Sequence, residues 1–440
     1  MESNIAIQEE WSIFRKIGFR FIYLFFALII LPFPFTTPLY LLDSYWLGQA
    51  FADFWSWTTQ FVGSNILGIE GFSNPVTGSG DKTYDWVQKL SVLGISVIGT
   101  IIWSAVDKRR KNYYRVWRWF VLLVVFYLVY YMFFYGFIKV YWLQMPAPRI
   151  DRLLKTYGQS SPMGLLWTFM GASKTYSVYA GLSEVIAGTL LLFRRTRTLG
   201  GMVTFGVMFN VFMLNLAYDV PVKLFSAQLM IMGLYIAMID RKAIFGLLLF
   251  QKAVNPTPWP PMFKTPVKNY ILLLIQGLLV FQFVQSNVKR GVNGRTSYGE
   301  LRPKSALYGL YDVEDFIKNG DTIPPLLTDK ERWQRVIFDA PGSTRAIFMN
   351  DRSRYFNSKI DTVASTVTFT IGRDSLSKDY LMEYRKVADG LVMEGILEQD
   401  TLRLKLKTYD LKKFYLTNRD FHWVSERPWH VYDTLPKPNW

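Results

Sequence analysis

Apolar and polar positions divide the chain in two. Up to about residue 285 the apolar residues come in long runs, and from about residue 306 they alternate singly with polar ones. A helix needs roughly 20 apolar residues to cross a bilayer, and about seven runs approach that length. They lie at 17–34, 84–106, 117–142, 176–193, 199–217, 221–238 and 270–284. Residues 42–67 mix Trp46, Trp55 and Trp57 with polar residues, which predicts an interfacial helix, because such aromatics settle at headgroup level. Residues 163–170 are too short to span. They predict a re-entrant or surface helix with Ser161 as N-cap and Pro162 in its first turn.

Beyond residue 306 the pattern has period two. Val367, Phe369 and Ile371 alternate with threonines, and Leu402, Leu404 and Leu406 alternate with Arg403, Lys405 and Lys407. These are half-buried antiparallel strands. Further strands fit near 332–338, 345–349, 380–384 and 391–396. Turn signals at Pro341-Gly342, Asn350-Asp351 and Asp389-Gly390 separate them. The predicted fold is an α-helical transmembrane bundle, residues 1–285, followed by a linker at 286–305 and an all-β soluble domain at 306–425. That domain is a small antiparallel barrel or sandwich. Residues 426–440 form an irregular aromatic tail.

Half of the 440 residues are hydrophobic and the formal net charge is +16. Basic residues cluster before the first run and after the second, fourth and sixth, as the positive-inside rule describes. That rule places the N-terminus in the cytoplasm, and an odd number of spans places the β-domain outside, at a bacterial inner (cytoplasmic) membrane. The first run is expected to be retained as a helix, since no small-residue cleavage site follows it. The charge is therefore read as flanking a lipid bilayer, with no nucleic-acid partner, because no basic recognition helix or aromatic-basic sheet accompanies it. Cysteine is absent, which excludes disulfides and cysteine-held iron–sulfur clusters. Both histidines, His422 and His430, lie near the C-terminal end, so the apolar runs offer no histidine to a haem or a metal. Gly78-Ser79-Gly80-Asp81 lacks the context of a phosphate-binding loop.

The candidate ligand-binding residues are those that place polar groups within or beside apolar runs: Tyr135, Lys139, Glu184, Asn210, Asn215, Asp219 and Lys223. An ionisable group at membrane depth is a functional-site hypothesis by default. Each also has a plainer role. Lys139 and Lys223 can snorkel to headgroups, and Asn210 and Asn215 can bond between helices. Asp219 can start a helix. Asp81 reads as the N-cap of the helix that it precedes. Gly181, Gly188, Gly200 and Gly201 read as sites of close helix contact, and the two histidines as surface or packing residues. Glu184, flanked by Val185, Ile186, Ala187 and Gly188, is tolerable only if paired or protonated.

The run from Glu184 through Gly188 and Leu190-Leu191-Leu192-Phe193 to Arg194-Arg195, followed by Leu199-Gly200-Gly201, resembles the DoxX family. Tyr135-Gly136-Phe137-Ile138-Lys139 resembles that family's preceding helix end. Tyr218-Asp219-Val220-Pro221-Val222-Lys223 fits a longer DoxX-like type with added domains. The resemblance covers about 116–240 and implies a small helical membrane core associated with redox complexes, with quinone as the ligand class. It makes Lys139 and Glu184 the family-like polar positions.

The expected function is an accessory subunit or a lipophilic-ligand-binding protein of an envelope complex, with the β-domain turned to an envelope protein partner. Two alternatives stand beside it. One is an integral-membrane enzyme using a buried Lys/Glu pair on a lipophilic substrate, by analogy of architecture with vitamin K-dependent carboxylase-like proteins. The other is a pure membrane scaffold. Whether the chain is an enzyme is left open, and no haem, iron–sulfur or metal cofactor is expected.

Overall fold

The computed structural model describes residues 10–33, 45–252, 259–372, 377–418 and 422–425. The tail at 426–440, His430 and the first residues of the 42–67 segment lie outside them. The described chain forms two units. The first comprises Met1–Pro146, Ser161–Met170 and Lys174–Glu300. The second comprises Ala147–Ser160, Gly171–Ser173 and Leu301–Trp440.

The first unit is helical. Its elements are α1 (Ile13–Ile30), α2 (Tyr45–Phe61), α3 (Thr83–Val106), α4 (Tyr114–Val140), α6 (Pro162–Ala172), α7 (Lys174–Leu192), α8 (Arg197–Ala217), α9 (Lys223–Ala237), α10 (Arg241–Leu248) and α11 (Pro266–Ser297). The short α5 (Ile150–Leu153) belongs to the second unit. Among the described residues five helices, α3, α4, α7, α8 and α11, are long and apolar enough to cross a membrane. The expected count of seven is not reached on length and composition. α1 has 18 residues but carries Arg15, Lys16 and Arg20, and α9 has 15 residues. Helix α6 starts as its sequence predicts, with the Ser161 hydroxyl accepting from the Gly164 N–H. Residues 286–297, expected as linker, continue α11. Apolar content marks the length of a span, not of a helix, and here Asn287, Gly291 and Gly294 are buried on the helix's polar extension.

Helix α4 lies at the centre of this unit. Val121, Val124, Leu128, Val129 and Met132 are fully buried and form one broad face of it, while Trp119 on the same helix is exposed. The outward faces of α3 and α11 instead expose Ile98, Ile101, Leu274 and Leu278.

The second unit is a closed antiparallel barrel of eight strands: β1 (Gly309–Lys318) and β3 (Trp333–Ala340) through β9 (Asp400–Thr408), with the two-residue β2 (Asp321–Thr322) hairpinned onto β1. Neighbours in the chain are neighbours in the sheet, and β1 pairs with β9 to close it. Closure removes the free edges that would otherwise pair with other chains. The interior is filled by Phe338, Ala346, Val367, Phe369, Met382, Met393 and Leu404. Arg332, 2% exposed, donates to the carbonyls of Ile323, Trp333, Val313 and Glu314. It thereby satisfies otherwise orphaned acceptors within the fold. Ile150 packs on Leu310 and Ile337, and Asp151 pairs with Arg345 at 3.0 Å, so residues 147–160 are part of this unit.

Candidate functional site

Helix α4 carries tyrosines four residues apart, at 127, 131 and 135, with Lys139 one turn further on. That spacing lines them along one face. The rings of Tyr127 and Tyr131 are 4.8 Å apart, those of Tyr131 and Tyr135 6.3 Å apart, and the Lys139 ammonium sits 5.6 Å from the centre of the Tyr135 ring. On α9, Phe225 packs edge-on against Tyr131 and at a tilt against Tyr135, and the Gln228 amide donates to the Tyr127 hydroxyl at 2.9 Å.

Helix α7 crosses α4 where both carry glycine. A Cβ on Gly181 would lie 2.5 Å from the Gly136 carbonyl oxygen, and one on Gly136 2.9 Å from that of Gly181. Only glycine permits this approach. The Ser177 hydroxyl donates to the Lys139 carbonyl at 3.2 Å and fastens the crossing. Glu184 follows Gly181 by one turn and so meets Lys139, whose ammonium donates to both carboxylate oxygens at 2.7 and 2.9 Å. Lys139 is 6% exposed and Glu184 2%. Two charges taken from water to this depth are tolerable because each supplies the other's hydrogen bonds. Gly188, Gly200 and Gly201 also sit in tight contacts, as the sequence predicts.

The other candidates gather at the start of α9. The Asn215 amide, 5% exposed, donates to the Ser226 hydroxyl at 3.0 Å. Asp219, at φ +50°, holds an exposed carboxylate 2.8 Å from the Lys223 ammonium. Asp81 corrects its sequence reading. It does not cap α3, the helix that it precedes; it accepts the N–H groups of Lys223 and Leu224, at 2.7 and 3.0 Å, and caps α9. The Gly80 N–H bonded to the Pro221 carbonyl draws the loop there. At the start of α3 the Asp85 carboxylate accepts the Lys82 N–H. Tyr135 links the two groups, touching Lys139 on its own helix and Phe225, two residues beyond Lys223. Asn210 joins neither: it is exposed on α8, on the side away from the buried Thr204, Met208 and Asn215.

Sequence reasoning missed Tyr127, Tyr131 and Gln228. The four-residue spacing of the tyrosines was available, but Gln228 lies on another helix and gives no signal. It also missed a buried network at the other end of α4. There Arg20 donates to the Tyr113 hydroxyl, the Ser104 hydroxyl and the Asp107 carbonyl, and Tyr113 donates to the Asp107 carboxylate at 3.0 Å. No group of three metal-ligating side chains occurs among the described residues.

The class defined by these features is a protein of apolar, membrane-length helices joined to a C-terminal eight-stranded antiparallel barrel, with a buried lysine–glutamate pair between two of the helices. Over 83 residues, 19% of the chain, it is 34% identical to the uncharacterised protein YwoB of Bacillus subtilis (strain 168), covering 54% of that protein. The chain thus spans about half the length of the curated relative it matches. No family model and no solved structure match it.

Proposed function

We propose that the helical unit is a membrane-embedded, DoxX-like bundle that serves as an accessory or ligand-binding protein of an envelope complex. In this reading α1 and α9 join the five long helices to give about seven spans. The N-terminus is cytoplasmic and the barrel stands outside, where an envelope protein partner meets it. The ligand is lipophilic, with quinone as the class that the DoxX resemblance implies. It lies along the Tyr127–Tyr131–Tyr135 stripe beside Phe225, its polar end toward Lys139 and Glu184.

The observation that carries this reading is the Lys139–Glu184 pair, buried at the end of a stripe of tyrosines. A charged pair at that depth is expensive, and phenol hydroxyls leading to it give a polar path through an apolar wall. One observation favours a second reading: both Glu184 oxygens already accept from Lys139, which suits a pair that only fixes the crossing of α4 and α7.

Mass spectrometry of the protein purified gently from its native membrane separates the two. A near-stoichiometric quinone or other isoprenoid that is lost from Glu184→Gln supports the ligand site. A native protein without such a molecule, or a Glu184→Gln variant that keeps it, overturns that site and leaves the scaffold reading.

A further inference from the structure

At the end of α4 opposite Lys139, about 30 Å along the helix, a groove of about 540 Å³ opens between α4, the α7–α8 turn and the start of α11. Its volume lies within the range of small-molecule sites. It is lined by Arg118, Arg194, Arg197 and Lys264, and by no carboxylate among the described residues. Four cations gathered without an acidic partner among the described residues call for an anion.

Two of the four, Arg118 and Arg197, are built in rather than merely solvated. Arg118 is 7% exposed and donates to the carbonyls of Pro260 and Pro261, while its buried Nε has no hydrogen-bond partner among the described residues. Arg197, 8% exposed, lies 5.3 Å from the ring of Trp259, which in turn stacks on Trp117 at 5.2 Å. These two guanidiniums are thus held in place before any ligand arrives. The remaining wall includes Asn269 and Gln276 but is mainly apolar, with Leu122, Leu272 and Leu273, and Leu273 continues into the exposed Leu274 and Leu278 of α11. A soluble anion gains nothing from such a wall, whereas a lipid sets its acyl chains against it.

We infer that this groove is a binding site for an anionic phospholipid, with the phosphate among Arg118, Arg194, Arg197 and Lys264 and the acyl chains along α11. Basic pockets between membrane helices are suited to anionic headgroups. The site rests on the membrane reading of the helices, but not on any ligand at Lys139 and Glu184.

The test is a thermal melt of the full-length protein in neutral detergent, titrated with phosphatidylglycerol, phosphatidylcholine or inorganic phosphate. Phosphatidylglycerol should raise the melting temperature saturably, and the other two should not. Arg194→Gln with Lys264→Gln removes two exposed charges and leaves Arg118 in place. It should raise the half-saturating lipid concentration about tenfold or more. Arg109→Gln with Lys111→Gln, outside the groove, should leave that concentration unchanged. An equal shift with phosphatidylcholine makes the effect one of lipid in general, and an equal shift with phosphate makes it a free-anion site. Either result, or an unchanged response of the Arg194/Lys264 variant, overturns the inference. Glu184→Gln should leave the phosphatidylglycerol response intact, so this site and the proposed ligand site fail separately.

Discussion

The ammonium of Lys139 and the carboxylate of Glu184, 45 residues apart in the chain, meet through two hydrogen bonds of 2.7 and 2.9 Å in the interior of the helical unit. Breaking such a pair from one side leaves an uncompensated buried charge, which costs roughly 3–5 kcal/mol, whereas replacing both partners by apolar groups is often close to neutral. Lys139→Met alone and Glu184→Leu alone should therefore each lower the melting temperature strongly, and the double variant should recover most of the loss. A double variant as unstable as the sum of the two would show that the charges do not act as a pair.

Gly181→Ala should be destabilising although alanine is the better helix former. Its methyl would meet the Gly136 carbonyl and the Val140 nitrogen, at 2.5 and 2.7 Å. The helices must then separate, with a cost of about 1–3 kcal/mol, typical of overpacking. Gly277→Ala, with nothing within 4 Å of its added methyl, is the matched control and should be neutral or slightly stabilising. Equal melting temperatures for the two variants would refute the close crossing.

Asp81→Ala should loosen the start of α9 rather than that of α3. Loss of a helix cap costs about 0.5–2 kcal/mol. Hydrogen exchange should quicken at Lys223 and Leu224, whose N–H groups bond to Asp81, with no comparable change at Trp86. The reverse pattern would return Asp81 to the role its sequence position suggested.

The barrel should lose stability in acid. The N–H groups of Arg332 and Glu331 hold the Asp329 carboxyl below the usual range, and the Arg354 guanidinium does the same for Glu398. A carboxyl whose folded value is depressed contributes stability that is present above its unfolded value, about pH 4–4.5. That stability is lost as pH falls through the folded value. Both sites are partly solvated, so the loss should be gradual and modest. Acid titration followed by hydrogen exchange in β3 and β9 would measure it. Stability that rises with acidification would contradict the assignment.

The sequence showed what rests on period and spacing. β6 (Thr366–Ile371) and β9 followed from strict alternation, and the close contacts of Gly181 and Gly188 followed from small residues in an apolar run. The strands that escaped it have internal reasons. β1 carries Asp312, Glu314 and Asp315 and shifts register between Val313 and Asp315, which disrupts its alternation. β5 (Ser353–Asp361) buries Phe356 and Ser358 only, so it offers no apolar stripe. Within the candidate site, the residue types and the Tyr135–Lys139 face were readable. The meeting of Lys139 with Glu184 depends on how two helices cross, and the capping of α9 by Asp81 depends on a loop 142 residues away. Neither leaves a mark in local sequence.

Residues 147–160 pack on strands that begin more than 150 positions later. The β unit is therefore not an excisable appendage. A stop codon after Glu300 would delete the barrel yet leave Ile150 without Leu310 and Ile337, and Asp151 without Arg345. A gene fragment opening at Leu301 would expose the same apolar strip from the other side. Truncation alleles at this boundary would thus report misfolding as well as loss of the barrel, and point substitutions are the cleaner means of asking what the barrel does.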